Sequence, residues 1–299
     1  MKQSAPSLDQ MYRWVWRTSG REQLGLCLLT VLVFPLSMLP LELQRRMVDD
    51  ALGDRNLDRL LQLAGIYAGI VLLHAVIKYL RNVVQGRIVE HEIRRLRGRL
   101  ATLTDDERSE AAGASVSMIA SETERLGGFV GESLSFPLLQ GGILLTVLGY
   151  MLWLEPVMAV VVVALLAPTL LITPPVQHVI SRHAELRTRL LRQLADRLVE
   201  RLDPVRRDQR IQRIYRMRIR IVLWRYLLKG INNLLGQLGP LAILLLGGWL
   251  VIDGQATVGT VVAFLSGFER IIDPARELLN FYRRLAQARV QFGLLEAVT

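Results

Sequence analysis

The chain has 299 residues, 51% of them hydrophobic, a formal net charge of +10 and a mean hydropathy of +0.31. A soluble domain of this size carries about a quarter charged residues and is less apolar, whereas here the charge is gathered into blocks between apolar runs, as in a membrane protein. The basic excess therefore reads as charge flanking membrane spans and argues against a nucleic-acid partner.

Cys27, the only cysteine, excludes an intrachain disulfide and a cysteine zinc cluster. Lysine occurs only at Lys2, Lys78 and Lys229, and none follows a glycine. The phosphate-gripping G-x-x-x-x-G-K-[ST] loop is thus missing from this sequence. No Ser/His/Asp arrangement, no paired carboxylates in a credible cleft and no ligand cluster among the four His point to catalysis or a bound metal. The expectation is a chain that is not an enzyme and holds no cofactor of its own.

Met1–Gly20 offers no signal-peptide pattern, since it holds acidic and aromatic residues and no small-residue cleavage site. Ser7–Arg17 reads as a short amphipathic helix with Tyr12, Trp14 and Trp16 at the headgroup level, so residues 1–20 form an interfacial elbow and 21–299 a membrane domain. Apolar runs of spanning length follow at about Leu24–Leu43, Leu60–Ile77, Leu134–Leu154, Val157–Val179, Leu234–Ile252 and Val258–Leu279. They predict six spans. A re-entrant fourth run, containing Pro168, Pro174 and Pro175, would reduce that count to four or five.

The connections alternate in kind. Gln44–Arg59 is short, with four Arg against four Asp, and Glu155–Pro156 and Asp253–Gln255 are tight turns. Lys78–Ser133 and Ile180–Asn233 are long and Arg-rich; Arg182–Lys229 alone holds fifteen Lys and Arg against five Asp and Glu. The positive-inside rule places this side and both termini in the cytosol, the expected location being the bacterial inner membrane.

The long connections carry helical stripes. Val89, Ile93, Leu96, Leu100 and Leu103 alternate in steps of four and three; Leu186, Leu190, Leu194, Leu198 and Leu202 recur every four; Ile211, Ile214, Met217 and Ile221 resume beyond Pro204. Leu278, Tyr282, Leu285, Ala288, Phe292 and Leu295 form another stripe. The fold class expected is an all-α membrane protein whose six helices extend into the cytosol. Chain reversals fall in Thr102–Glu122 and near Leu198–Ile211, where Pro204 disfavours helix at Asp203.

This pattern resembles the transmembrane domain of exporter-type ABC transporters. The specific residues are Gly254, Thr257–Gly259, Ala263–Phe264, Pro274, and Ala288–Arg289 leading to Leu294–Leu295–Glu296, together with Gly113–Val130. The resemblance implies six extended spans, a homo- or heterodimer around a central pathway, and two coupling segments resting on a nucleotide-binding ATPase, separate or missing, that would begin where this chain ends and would carry the ATP and magnesium. The first coupling segment maps to Ser115, Val116, Ser117, Met118, Ile119, Ser121 and Glu122. The second maps to Glu200, Asp203, Pro204, Arg206, Arg207 and Arg210, where Pro204 stands in place of the family's usual glycine and the ascending helix reads as shorter than usual.

Ionisable and polar residues in spans are the pathway candidates. Glu42 lies one turn from Arg45 and Arg46, so a local ion pair competes with a pathway role. His74 reads as a cavity residue or a packed one, with Lys78 snorkelling beside it. Asn232, Asn233 and Gln237 make either interhelical hydrogen bonds or substrate contacts. Glu269, with Arg270, Asp273 and Arg276, reads as a boundary charge network or as cavity lining. The resulting expectation is the permease subunit of an ATP-driven ABC exporter. The alternatives are a proton-driven transporter working through Glu42, Glu132, His74 or Glu269, and a regulatory membrane subunit that does not transport.

Overall fold

The computed structural model describes residues 8–53, 55–104, 124, 127–198 and 204–296, and among them every regular element is helical. The long helices are α1 (Leu8–Arg46), α2 (Leu57–Thr104), α3 (Ser135–Leu154), α4 (Pro156–Leu198), α5 (Pro204–Ile252) and α6 (Val258–Glu296). A π-helical stretch, Met47–Leu52, ends α1, and residues 127–132 form helix ahead of α3. Helix is the form in which a backbone satisfies its own polar groups in lipid.

Five helices carry an apolar window long enough to cross a membrane. The sixth, α6, runs eleven uncharged residues, Val258–Phe268, before Glu269, Arg270 and Asp273 dilute it. At 48 and 49 residues, α2 and α5 outrun any bilayer: about 72 and 74 Å of helix against roughly 30 Å of hydrocarbon.

Two expectations are corrected. α4 runs unbroken through Pro168, Pro174 and Pro175, so the re-entrant alternative is not what the chain adopts. Each proline removes one donor while the rest of the ladder persists. The ascending helix is not short: among the described residues α5 is the longest of the six, because Arg is a good helix former and Ile211, Ile214, Met217 and Ile221 keep the helical steps of three and four through the basic run.

The turns follow local chemistry. Ser19 leaves helical geometry (φ −137°, ψ 20°) and kinks α1 where the apolar run begins. The Asn56 side chain accepts the Arg59 amide at 3.0 Å and so caps α2. Glu155 is the single extended residue between α3 and α4, and Pro156 takes the first helical position of α4. Gly254 has φ +75°, a left-handed conformation that glycine adopts without strain, and it ends α5.

The chain forms two compact units, residues 1–156 with 250–299 and residues 157–249. In the first, α1 packs against α2, α3 and α6, and α3 packs against α6. Close approach depends on glycine at Gly142, where an added Cβ would strike the Phe34 ring. Gly142→Ala is expected to destabilise the chain by about 1–3 kcal/mol as overpacking. Adding Phe34→Leu should restore part of that loss in thermal unfolding; no recovery would place the strain elsewhere. The second unit holds most of α4 and α5, and it exposes large apolar side chains such as Leu171, Leu223 and Leu245, the surface that lipid or another membrane helix covers.

Candidate functional site

Two polar constellations lie within the first unit. One joins the short-turn ends of the helices. Glu42 accepts hydrogen bonds from Arg45 (Nε 2.9 Å, Nη2 3.0 Å), from Arg46 Nε at 2.6 Å and from the Tyr150 hydroxyl at 2.8 Å. Its side chain is 16% exposed, so these bonds form largely away from water. Arg45 Nη1 also stands 3.5 Å from Asp49. The Asp49 carboxylate in turn accepts the Gly259 amide at 2.8 Å and the Thr257 hydroxyl at 2.7 Å. An acidic group from the α1 end thereby caps α6, where the free amides and the helix dipole favour negative charge. A Cβ on Gly259 would collide with the Arg45 carbonyl and the Asp49 carboxyl, so only glycine admits the approach.

The other constellation is a cavity of about 480 Å³ that begins about midway along the apolar segments and runs away from the short turns. α1 contributes Val33 and Ser37, and α2 contributes His74, Lys78, Arg81, Asn82 and Gln85. Glu132, Phe136 and Gln140 come from α3 and the helix before it, and Arg270, Asp273 and Pro274 from α6. His74 and Gln85 stand about 26 and 42 Å along α2 from Leu57, so the cavity crosses the depth at which a ~30 Å hydrocarbon layer ends.

Arg81 is 4% exposed, donates from Nε to Thr30 Oγ1 at 3.2 Å and from Nη1 to Asn82 Oδ1 at 3.1 Å, and its buried Nη2 has no partner among the described residues. Arg270 Nη1 donates to the Ser37 carbonyl at 2.9 Å. Pro274 lacks the amide that would serve the Arg270 carbonyl, which leaves that oxygen without its intrahelical donor beside the cavity. Beyond the cavity, Arg284 pairs with Glu132 at 3.2 Å and lies 4.3 Å over the Phe136 ring, while Phe281 stacks on Phe136 and Phe129. Met11 and Leu96 share this apolar cluster, with Tyr12 and Trp14 packed against it, which ties the start of α1 to α6.

The candidates from sequence fall in separate places. Glu42 sits in the short-turn network, paired with both of its neighbouring arginines. His74 lines the cavity with Lys78, and so does Glu132. Glu269 is exposed and outside the cavity lining, whereas Arg270 and Asp273 from the same turn are in it. Asn232 is half-buried and Asn233 and Gln237 are exposed on α5, in the second unit. Ser115, Val116, Ser117, Met118, Ile119, Ser121 and Glu122, and likewise Glu200 and Asp203, lie outside the described residues. Pro204 opens α5, and Arg206, Arg207 and Arg210 are on its first turns. Among the described residues no group of acidic, His and Cys side chains could hold a metal ion.

Sequence reasoning passed over Arg81, Asp49 and Tyr150. Ending the second span at Ile77 made Arg81 one more loop arginine, although its i,i+3 spacing from Lys78 places both on one helix face. Asp49 and Tyr150 carried no local signal, since their partners are 210 and 108 residues away in sequence.

Long helices with spanning windows, joined by short turns at one end, define a multi-pass membrane protein. The chain belongs to the ABC transporter transmembrane region family, whose pattern it matches over residues 26–200 and 205–274. It is also 36% identical over 70 residues to a protein of Bacillus subtilis (strain 168) named "Putative multidrug export ATP-binding/permease protein YgaD". That stretch is 23% of this chain and 12% of the other, so the chain spans only a small part of that relative in the matched region.

Proposed function

We propose that this chain is the membrane-spanning subunit of an ATP-driven exporter, working as a dimer and driven by a nucleotide-binding ATPase. The observation that carries the reading is the family match over residues 26–200 and 205–274, which includes the helical extensions as well as the spans. Helices of 48 and 49 residues reach well beyond a bilayer, and such a lever is what a membrane domain needs to transmit closure of an ATPase. Residues 115–122 and 200–210 would dock on that partner. The basic extensions would face the cytosol of a bacterial cell, with the short turns outside.

In this cycle the Glu42–Arg45–Tyr150 and Asp49–Gly259 contacts close the external end, and the cavity holding His74, Arg81 and Arg270 belongs to the inward-open pathway. ATP-driven rearrangement would break the first set and deform the second.

Co-expression with candidate nucleotide-binding subunits and purification in mild detergent tests the reading. The expected result is a complex whose ATP hydrolysis rises severalfold over the ATPase alone. If no such subunit associates or is stimulated, the reading fails. Uptake into proteoliposomes driven by a pH step alone would replace it with a proton-driven transporter, for which His74 and Glu132 at the cavity are the groups to substitute.

A further inference from the structure

We infer that the cavity between α1, α2, α3 and α6 is a subsite for the anionic head of an amphiphile, a phosphate or carboxylate carried on a hydrocarbon chain. The inference names the ligand class of the pathway proposed above and rests on that reading for its role in transport, though not for binding itself.

Charge is the first argument. Lys78, Arg81 and Arg270 line the cavity against Glu132 and Asp273, three cations to two carboxylates. Glu132 is already engaged by Arg284 at 3.2 Å. Among the described residues, none of the three cations has an acidic oxygen within the 4.0 Å of an ion pair. A buried guanidinium with no directly paired carboxylate is unfavourable, and Arg81 is 4% exposed with one nitrogen unpartnered, Glu132 acting on it only from a distance across the cavity. Its bonds to Thr30 and Asn82 hold it in place, so it is preorganised and does not swing out to water. An anion arriving at this wall supplies what the protein withholds.

Depth is the second. The cavity begins at about 26 Å along α2 and ends at about 42 Å, so part of it lies within the hydrocarbon layer and part beyond. Val33, Leu139 and Ile143 offer an apolar wall, while Asn82, Gln85 and Gln140 supply amides that bond to oxygen. A single-tailed anion satisfies both surfaces. A cationic amphiphile meets three like charges, and a small hydrophilic anion leaves the apolar wall empty.

Equilibrium binding of radiolabelled dodecyl phosphate to the purified full chain, in a neutral maltoside detergent and without nucleotide, tests this. Arg270→Gln and Arg81→Gln are each expected to weaken binding roughly ten- to a hundredfold, the scale of one charge-assisted hydrogen bond. Lys78→Gln, at an exposed position, should weaken it a fewfold, and Arg220→Gln, on α5, should leave it unchanged. The thermal midpoint without ligand reports whether each variant is folded; should Arg81→Gln loosen the α1–α2 contact, Arg270→Gln and Lys78→Gln still decide. Equal affinity for dodecyltrimethylammonium, equal affinity for inorganic phosphate, or unchanged binding in both Arg270→Gln and Lys78→Gln would overturn the inference. Mass spectrometry of the chain taken from membranes separates the sources. A phospholipid retained by the wild type and lost from Arg270→Gln identifies a lipid headgroup; dodecyl phosphate binding with no retained phospholipid identifies a soluble amphiphile. Binding through Arg81 and Arg270 in a chain that neither engages an ATPase nor transports would remove the transport reading and keep the subsite. ATP-coupled transport with no charge-dependent binding would do the reverse.

Discussion

Glu42→Ala is expected to lower the thermal unfolding midpoint by roughly 5–10 °C, the counterpart of about 3 kcal/mol. Glu42 accepts four hydrogen bonds, three from arginines and one from the Tyr150 hydroxyl, while its side chain is 16% exposed. Removing it leaves Arg45, 24% exposed, with only the longer contact to Asp49 at 3.5 Å. The loss is larger than for a surface ion pair because the abandoned charge stays mostly desolvated. Glu42→Gln should fall between the wild type and Ala, since an amide keeps the acceptor oxygen and gives up the charge. Tyr150→Phe should cost about 1 kcal/mol, and much less on the Glu42→Ala background, because the hydroxyl then has no carboxylate to lose. Midpoints at a single scan rate measure this, as unfolding of membrane proteins is often irreversible. A Glu42→Ala midpoint within a degree of wild type would mean that the network is solvated and contributes nothing.

Asp49→Ala and Gly259→Ala should each destabilise by about 2–3 kcal/mol, and the pair together by little more than one alone. The aspartate accepts from the Gly259 amide and the Thr257 hydroxyl at the start of α6, so its removal leaves the Gly259 amide without that acceptor, Thr257 still holding the Thr260 amide, and separates the helix from the end of α1. The glycine substitution reaches the same state from the other side, because a Cβ meets the Arg45 carbonyl and the Asp49 carboxyl and forces them away. Asp49→Asn, which retains an acceptor oxygen, should recover more than half of the loss. If the short-turn contacts close the external end, both alanine variants should also raise basal ATP hydrolysis in the assembled transporter, by favouring the state in which those contacts are broken. Strictly additive stabilities would show that the two residues act on different contacts.

Much of the fold was legible. Apolar length marks a span because hydrocarbon offers the backbone no partners, and the spacings from Val89 to Leu103 and from Ile211 to Ile221 mark continuing helix beyond it. The short connections at Glu155–Pro156 and Asp253–Gln255 read as tight turns, and tight turns they are. Glu42 stood out as well, since its arginine partners are one turn away on the same helix.

Proline and charge were less legible. Pro168, Pro174 and Pro175 weaken a helix in isolation, yet α4 passes through them, because in lipid the alternatives leave more backbone unsatisfied. The basic stretch after Pro204 has the composition of a loop and the period of a helix, and the period prevailed.

By itself, then, the sequence determined a chain of long membrane-crossing helices with one strongly basic end, since length, apolarity and period are local quantities. Only the tertiary structure decided which polar residues share a space. Asp49 reaches Gly259 across 210 residues, and Arg81, Glu132 and Arg270 meet at one cavity from three separate helices. A spacing rule relates residues on one helix, whereas these groups are brought together by how α1, α2, α3 and α6 pack. That packing turns Arg81 from one arginine among many into a buried cation with one nitrogen unpartnered and no carboxylate bonded to it.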